Sequence, residues 1–441
     1  MAYKTPAALY KMVPVEEALE TVLSEVTAPK DSFWCPAGIC FNHVLDEDVV
    51  APLDIPDKPV SIVDGFAVVA GDPAKEIEIC GESRAGHVDE KIVVERGKCC
   101  YVTTGAALPR GADAVVMIED TKKVEDTKKV EVGANVLAMS AGENVRQTGS
   151  DMAEGECILR KGKLLDGADV AMLNSLGISR VHVFGKPVCA VMSTGDEVVD
   201  AGARERGRHQ IFDANRPALK ACAERHCSSV VDLGIAGDTE GRLETLVEEA
   251  LEDKVDVLVT SGGVSMGDAD LVKPFLEKRG KVHFGKVLMK PGKPLTFATI
   301  ERDCGQKMLV FGLPGNPVSS YVTFNLVVVP ALRKLAGWQK PLLKRLSAIT
   351  ADEIKMDPKR PEYHRVILSL PKAEAFAYSD PGASEASALA LVAKSTGFQR
   401  SSRLLSLRDA NALVEVPKGS GSIPAGSRVS CLLLPVSNAT F

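Results

Sequence analysis

The feature that most constrains the fold is an alternation of apolar segments with segments of helical periodicity over residues 186–335. The apolar segments predict four strands, at residues 187–192, 230–233, 255–260 and 308–311. Helical spacing lies between or after them, at residues 215–225, 241–251 and 269–278 and in a long apolar stretch after Ser320. Strands that are apolar along their whole length must be covered on both faces. The pattern therefore predicts a parallel sheet between two helical layers.

The flanking regions have other patterns. Residues 14–26 and 167–176 have helical spacing, whereas residues 49–142 contain short β-rich runs at 66–70, 98–103 and 114–118, separated by Gly and Pro. From about Pro341 the chain has short strands at residues 366–370, 412–416 and 429–434. This tail predicts a small β-barrel or sandwich.

One internal repeat is present, because EDTKKV at residues 119–124 is copied at residues 125–130. Six residues are too few for the unit of a solenoid. The duplication is therefore expected to lengthen a solvated hairpin.

Composition limits the partners and the compartment. At 441 residues the chain is long enough for about three domains, and its net charge of −6 argues against general nucleic-acid binding. Its apolar runs are too short to span a bilayer, and its first residues lack an apolar signal core, so no membrane association is expected. The eleven cysteines show no metal-ligand spacing, which favours reduced thiols in the cytosol. A cytoplasmic protein is the expectation.

Three glycine-rich loops follow predicted strands: STGDE (193–197), SGGVSMGD (261–268) and GLPGNPVSS (312–320). Ligands of parallel α/β sheets bind beyond the carboxyl ends of the strands, where glycine lets backbone N–H groups approach an anion. None of the three has the P-loop or dinucleotide pattern. Together they predict a phosphate-binding crevice.

Acidic residues are interleaved with these loops. A carboxylate beside a phosphate is repulsive unless a cation such as Mg²⁺ lies between them, but carboxylates also cap helix N-termini. Both interpretations stay open for Asp196, Glu197, Asp238, Asp268 and Asp270.

Basic residues are concentrated in two places. Lys286, Lys290 and Lys293 lie in GKVLMKPGKP, whose prolines and glycines exclude a helix, and Arg360 and Arg365 lie in KRPEYHR. The segment SSRLLSLR adds the further donors Ser402, Arg403 and Ser406. Such groups either form a solvated face or hold a tetrahedral oxyanion.

The order and content of the longer motifs resemble the MoeA family of molybdopterin molybdotransferases, including the E domains of gephyrin and of the plant molybdenum insertase. The motifs are SIVDGFAV, YVTTGAALPRGADAVVMIED, STGDEVV, TSGGVSMGDADLVKP, KVLMKPGKPLTF, GLPGNPVSSYVTFN, RPEYHR and SSRLLSLRDANAL. The resemblance covers nearly the whole chain and is weakest at DSFWCPAGICFNH, residues 31–43.

The resemblance implies a multidomain α/β and β protein with four subdomains. These are a mixed linking subdomain (1–48 and 147–185), a β-rich inserted subdomain (49–146), a doubly wound parallel-sheet subdomain similar to the adenylyltransferase (186–335) and a C-terminal β-barrel (336–441). It also implies a homodimer in which the inserted subdomain of each chain completes the cleft of its partner.

The implied reaction joins two substrates. Adenylylated molybdopterin and molybdate bind, a divalent cation such as Mg²⁺ assists cleavage of the pyrophosphate to release AMP, and molybdenum enters the dithiolene. A molybdopterin adenylyltransferase domain or protein would supply the substrate, and molybdoenzymes would receive the cofactor.

The resemblance also assigns residues. Catalysis falls to Asp238, Ser265 and Asp270, with the metal on Asp238 and Asp270, and molybdate to Lys290, Lys293, Arg365 and Ser406. Binding of the adenylylated substrate falls to Ser193, Thr194, Gly195, Asp196, Glu197, Ser261, Gly262, Gly263, Pro314, Gly315, Asn316 and Pro317, with Asp64, Thr104 and Glu119 facing the partner's cleft.

Three other functions remain open. The sheet region alone resembles an adenylyltransferase, gephyrin uses the same fold as a receptor-clustering scaffold, and a nucleotide-binding module without chemistry is a third possibility. The single copy of the sheet region and the intact acidic set favour the insertion reaction.

Overall fold

The structure is a computed structural model, which describes residues 11–87, 89–125, 127–132, 136–203, 205–237, 240–263, 272–371 and 390–435. The chain forms two compact units, one of Met1–Phe33 with Phe184–Phe441 and the other of Trp34–Val183. The four subdomain ranges stay a prediction. No helix in the described ranges has both the length and the apolar character that crossing a bilayer requires.

The first unit begins with helix α1 (Val15–Glu25), which confirms the helix predicted at residues 14–26. Its buried side chains Val15, Ala18 and Val22 recur at helical spacing and join the core of this unit.

The strands between residues 32 and 184 are short and belong mainly to the second unit. They are β1 (Ser32–Pro36), β2 (Val49–Val50), β3 (Val60–Ser61), β4 (Gly65–Val68), β5 (Glu76–Ser83), β6 (Lys98–Val102), β7 (Ala114–Met117), β8 (Thr121–Lys123), β9 (Lys129–Val132), β10 (Val145–Arg146), β11 (Cys157–Leu159) and β12 (Arg180–Phe184). Helix α2 (Gly167–Ser175) and three 3₁₀ turns, Ala37–Ile39, Ile118–Asp120 and Val136–Ala138, complete the set.

Six of these strands form one sheet in the order β7-β4-β6-β5-β9-β8, antiparallel except for the pair β5 and β6. The sheet has a core on each face, so that Cys99 packs with Phe66 and Ile77 while its neighbour Cys100 packs with Val102 and Val115. The predicted β-rich character of this region is confirmed.

The repeated hexapeptide lies in the hairpin of β8 and β9, as predicted. The register pairs Thr121 with Val132 and Lys123 with Val130, so the first copy supplies β8 while the second supplies the turn and the start of β9. In that turn the Thr127 hydroxyl donates to the Val124 carbonyl at 3.0 Å. One hexapeptide therefore adopts two conformations, because Thr121 to Lys123 of the first copy lie in β8 whereas the corresponding Thr127 and Lys128 of the second copy lie in the turn.

The remaining elements of the first unit form a sheet region followed by a β domain. The sheet region contains β13 (Val188–Thr194), β14 (Val198–Val199), β15 (Ile211–Phe212), α3 (Asn215–Ala223), β16 (Ser229–Ala236), α4 (Glu240–Glu252), β17 (Val257–Ser261), α5 (Val272–Arg279), β18 (Lys281–Phe284), β19 (Thr296–Glu301), β20 (Lys307–Leu313), α6 (Pro317–Thr323), a π-helical turn (Phe324–Val328) and α7 (Val329–Leu335).

The main sheet has the order β16-β13-β17-β20-β19-β18. The four predicted strands are parallel, as expected, but β19 pairs antiparallel with both β20 and β18, which the sequence pattern did not predict. Alternate residues face two cores. Cys189 and Val191 pack with α3, α6 and α7, whereas Ala190 and Met192 pack with α4 and α5. The doubly covered sheet is thereby confirmed.

The C-terminal β domain is a closed barrel, so of the two folds predicted for this tail, barrel and sandwich, the barrel is confirmed. Its strands close in the order β21-β24-β23-β25-β27, with β27 pairing back to β21. The barrel strands are β21 (Arg345–Thr350), β23 (Glu362–Ser369), β24 (Leu391–Ser395), β25 (Ala412–Val416) and β27 (Arg428–Leu433). The domain also contains β22 (Ile354–Lys355) and β26 (Ser422–Ile423), which pair with each other, and a 3₁₀ turn at Leu404–Ser406.

Candidate active site

The three glycine-rich loops meet at the carboxyl edge of the main sheet. In register, Ser193 of β13 lies beside Ser261 of β17, which lies beside Leu313 of β20. The Gly262 N–H donates to the Leu313 carbonyl at 3.1 Å. Because parallel strands end at a common edge, loops far apart in sequence become neighbours.

The approach of two of these loops requires glycine. Gly262 and Gly263 have φ of 92° and 64°, and a Cβ on either one would lie 2.8 Å from the Thr194 hydroxyl oxygen. Such positive φ values and close backbone contacts strongly favour glycine, which leaves backbone groups at the crevice. Gly315 continues the same surface, since a Cβ there would lie 3.7 Å from the Gly262 Cα.

Asn215, which was not predicted as a site residue, links the second and third glycine-rich loops by hydrogen bonds. Its side-chain amide at the start of α3 donates to the Ser261 hydroxyl and to the Gly315 carbonyl, both at 2.7 Å. The sequence pattern showed only that a helix begins here. The partners lie 46 and 100 positions away, so no local spacing could indicate them.

Asp196 of the first loop lies beside the end of β16. Gly195 donates its N–H to the Ala236 carbonyl at 3.1 Å, and a Cβ on Gly237 would lie 2.9 Å from Asp196 Oδ1. Asp196 is thus next to the residue that precedes Asp238.

The residues predicted for catalysis and metal binding, Asp238, Ser265 and Asp270, lie outside the described residues, as does Asp268. Over the described ranges, no group of three or more His, Cys, Asp or Glu side chains is arranged to hold a metal ion.

A basic cleft of about 820 Å³ lies in the first unit, between the β18–β19 loop and the barrel. Lys290, Lys293 and Asn316, all predicted site residues, line it. The charged and polar lining that the prediction did not include consists of Lys355, Asp357, Glu362, His364, Gln399, Arg400 and Ser401. Arg360 and Ser402 are among the predicted donors, and Ser319 belongs to the glycine-rich loop 312–320. Five cationic side chains against two carboxylates give the cleft a positive balance.

Lys290 is paired with two carboxylates in this cleft. Its ammonium lies 2.9 Å from Glu362 Oε2 and 3.4 Å from Asp357 Oδ2. These interactions, opposed by burial, raise the pKa of Lys290, so the ammonium stays charged. Lys293 forms no ion pair with any residue in the described part of the chain. Lys286, in contrast, is only 7% exposed and does not line the cleft, and burial lowers its pKa.

Arg365 and Ser406 lie behind the cleft wall and have no exposed surface. Strand pleating puts Arg365 on the face of β23 opposite Glu362 and His364. Its guanidinium contacts the Ser406 hydroxyl and the Arg400 carbonyl, and its buried Nη1 has no hydrogen-bond partner among the residues that the structure describes. Burial lowers the pKa of Arg365 to about 10. It therefore supports the segment that brings Gln399 to Ser402 into the cleft.

In the second unit the structure brings together the three residues predicted to face a partner. Asp64 Oδ1 accepts from the Thr104 N–H at 2.6 Å and from the Thr104 hydroxyl at 3.0 Å. The Asp64 carbonyl accepts from the Ile118 N–H at 3.0 Å, next to Glu119 in its 3₁₀ turn. The Thr104 N–H holds the pKa of Asp64 below its usual range.

Three models of known protein families match successive parts of the chain. Residues 13–177 match the MoeA N-terminal region (domain I and II), residues 190–334 the probable molybdopterin binding domain, and residues 347–434 the MoeA C-terminal region (domain IV). The chain is also 31% identical to the molybdopterin molybdenumtransferase of Haemophilus influenzae, covering 95% of this chain and 98% of that protein. This chain belongs to the MoeA family.

Two further relatives extend the comparison. A MoeA structure from Pyrococcus horikoshii has a TM-score of 0.76 and 29% identity, covering 96% of this chain and 99% of that one. The gephyrin of Dictyostelium discoideum is 36% identical, but the chain spans only 63% of that protein's length.

Membership of the MoeA family confirms the resemblance and the multidomain fold class. It also confirms, at the level of the family, the expectation of a transferase in molybdenum cofactor biosynthesis. Five residues of the site were not predicted: Asn215, Asp357, Glu362, His364 and Arg400. Contacts between segments far apart in the sequence bring them to the site. Only Glu362 and His364 had a signal in the sequence, since they lie two positions apart in RPEYHR, the spacing at which side chains share one face of a strand.

Proposed function

We propose that this protein is a molybdopterin molybdotransferase. In this reaction adenylylated molybdopterin and molybdate bind, the pyrophosphate link is cleaved to release AMP, and molybdenum enters the dithiolene. The observation that carries the proposal is the basic cleft, in which Lys290 and Lys293 from the β18–β19 loop face Arg400 and Ser402 from the barrel. A tetrahedral oxyanion fits such a set of donors.

The phosphate groups of the substrate belong beside the basic cleft, at the glycine-rich loops on the carboxyl edge of the main sheet, which we call the loop edge. Asn316 lines the basic cleft and follows Gly315, whose carbonyl is held by Asn215 beside Ser261. This continuity supports a substrate that extends from the loop edge, where its pyrophosphate binds, into the cleft, where its dithiolene meets molybdate. Backbone N–H groups at the glycines would orient the phosphates.

The cleavage step rests on the acidic residues. We assign Asp238, Asp270 and Ser265 to this step, and Asp196 supports the assignment because it lies against Gly237, the residue that precedes Asp238 in the sequence. A divalent cation such as Mg²⁺ held there would offset the charge of the pyrophosphate.

The buried guanidinium of Arg365 supports an anion near the cleft. Within the described residues its guanidinium hydrogen-bonds only to the neutral oxygens of Ser406 and Arg400, and its Nη1 has no hydrogen-bond partner there. The nearby carboxylate of Glu362 is already paired with Lys290, so a bound oxyanion would offset part of the cost of burying this cation.

The assembly and cellular context complete the proposal. A homodimer would deliver Asp64, Thr104 and Glu119 to the partner's cleft. An adenylyltransferase would supply the substrate, molybdoenzymes would receive the cofactor, and the compartment would be the cytosol.

The test supplies the purified chain with adenylylated molybdopterin and molybdate and follows AMP release together with activation of an apo-molybdoenzyme. Lys293→Ala should lose activation at low molybdate, whereas Lys344→Ala, an exposed lysine outside the cleft, should behave as wild type. Wild-type protein that forms no active cofactor would contradict the proposed function.

A further inference from the structure

Lys290 is fixed to the barrel by its main chain as well as by its side chain. Its N–H donates to the Pro361 carbonyl at 2.9 Å, and its carbonyl accepts from the Tyr363 N–H at 2.8 Å. The position of its ammonium in the cleft is therefore set by the start of β23, and the two carboxylates beside it decide what else it can contact.

These two carboxylates are held differently. Glu362 has a side chain only 4% exposed, and its second oxygen lies 3.1 Å from His364 Nδ1, while His364 Nε2 lies 2.8 Å from the Ser395 hydroxyl. Both oxygens of Glu362 are thus engaged in a buried chain of contacts. It is the permanent counter-ion of Lys290.

Asp357 is the looser partner. Its side chain is 17% exposed, and its Oδ2 lies 3.4 Å from the ammonium, farther than Glu362 Oε2. Its Oδ1 accepts from the N–H groups of Lys359 and Arg360, at 2.8 and 3.1 Å. These bonds keep the turn in place when Oδ2 leaves Lys290, so this contact can break without disturbing the backbone.

We propose that Asp357 is an internal counter-ion of the oxyanion site, which contacts Lys290 until a tetrahedral dianion enters and displaces it. The inference rests on the proposed function, because it assumes that an oxyanion binds at Lys290 and Lys293. Breaking the contact costs binding free energy. Only an anion that gains more from both lysines than Lys290 loses from Asp357 fills the site, so Asp357 lowers the affinity of the site for every tetrahedral dianion by a similar factor.

Asp357→Asn is the variant that tests this. Asparagine retains an oxygen for the Lys359 and Arg360 N–H groups but removes the charge that competes at Lys290. We expect affinity for molybdate, measured by calorimetry on the full chain without the pterin substrate, to rise about three- to tenfold. Sulfate, a tetrahedral dianion of equal charge, should gain by a similar factor.

The matched control is Asp409→Asn, which makes the same change at an exposed barrel position that does not line the cleft. It should leave both affinities within about twofold of wild type. An equal gain in this control, or no gain in Asp357→Asn, would overturn the inference alone. Failure of wild type and Asp357→Asn to bind either anion would overturn it together with the oxyanion site of the proposed function.

A structural readout tests displacement itself. In a crystal of the full chain soaked with molybdate, Asp357 Oδ2 should move beyond ion-pair distance of the Lys290 ammonium while Glu362 stays in place. A molybdate-bound structure in which the Asp357 contact is unchanged would contradict displacement.

Discussion

Arg365 and Ser406, 41 positions apart in the sequence, are joined by two hydrogen bonds in the interior of the first unit. Nε and Nη2 of the guanidinium donate to the same hydroxyl oxygen, at 3.3 and 3.1 Å, and that hydroxyl donates to the Arg403 carbonyl at 2.7 Å. Because neither side chain has exposed surface, water cannot replace these bonds if one is lost.

Ser406→Ala should therefore lower stability. It leaves two buried guanidinium donors without their acceptor, and we expect a loss of about 1–3 kcal/mol in the free energy of unfolding. Urea denaturation monitored by circular dichroism measures this. Ser402→Ala, an exposed serine of the same segment, is the control and should stay within about 0.5 kcal/mol of wild type. Equal losses in both variants would contradict the role given to the buried bond.

Excess molybdate should separate anion binding from cleavage. Lys293→Ala removes one charge-assisted contact, so we expect about a tenfold to hundredfold weaker response to molybdate, restored when molybdate is raised. Asp270→Asn and Asp238→Asn should show little AMP release at any molybdate concentration, because they lack a chemical step. If molybdate rescues all three variants, or none of them, the division between the two groups is wrong.

Mixing two inactive variants should test the shared cleft. If each cleft needs Asp64 from the partner, a hybrid of Asp64→Ala and Asp270→Asn chains contains one intact cleft. Random exchange of subunits would then restore about a quarter of wild-type activity. Light scattering should report twice the chain mass. No recovery in mixtures shown to have exchanged subunits would contradict the shared cleft.

Stability should fall with acid through His226. Burial, and then the nearby charges of Arg333, Arg225 and Lys186, lower its pKa to about 3, and its buried Nε2 has no hydrogen-bond partner in the described part of the chain. The folded protein keeps this imidazole neutral below pH 6.5, where the unfolded chain takes up a proton. Stability is therefore full above about pH 6.5 and is lost as the pH falls toward 3, by about 2 kcal/mol at pH 5.

His226→Gln should flatten this part of the stability profile, measured by urea denaturation between pH 7 and pH 5. His209→Gln, an exposed histidine in the same unit, is the control and should retain the wild-type slope. An unchanged slope in His226→Gln would rule out this residue as the cause.

The parts of the fold that the sequence predicted are those with a local signal. The apolar strands around Val191 and Val259 and the helix carrying Val15 and Val22 lie where their periodicity placed them. Strands β18 and β19 were missed because their short runs beside the lysine-rich loop resemble a connection. The repeat was correctly placed in a hairpin, but its two copies have identical residues and therefore could not reveal that they adopt different conformations.

The site divides in the same way. Lys290, Lys293 and the glycine-rich loops were predicted as site residues because residue type and motif indicate chemistry directly, and the structure places them at the basic cleft and at the carboxyl edge of the sheet. Burial of Arg365, the amide of Asn215 across two loops and the carboxylates around Lys290 could not be inferred from spacing.

The sequence alone determined that this chain contains an α/β sheet covered on both faces, with glycine-rich loops at its carboxyl edge, and its motifs indicated the family. Periodicity and residue type are local properties, and they are enough for those conclusions. Only the tertiary structure decided that the tail closes into a barrel, that β19 runs antiparallel, and that Lys290 meets Glu362 and Asp357. The reason is physical: a periodic pattern fixes which side of a segment is buried, but which segment covers it depends on packing across the whole unit.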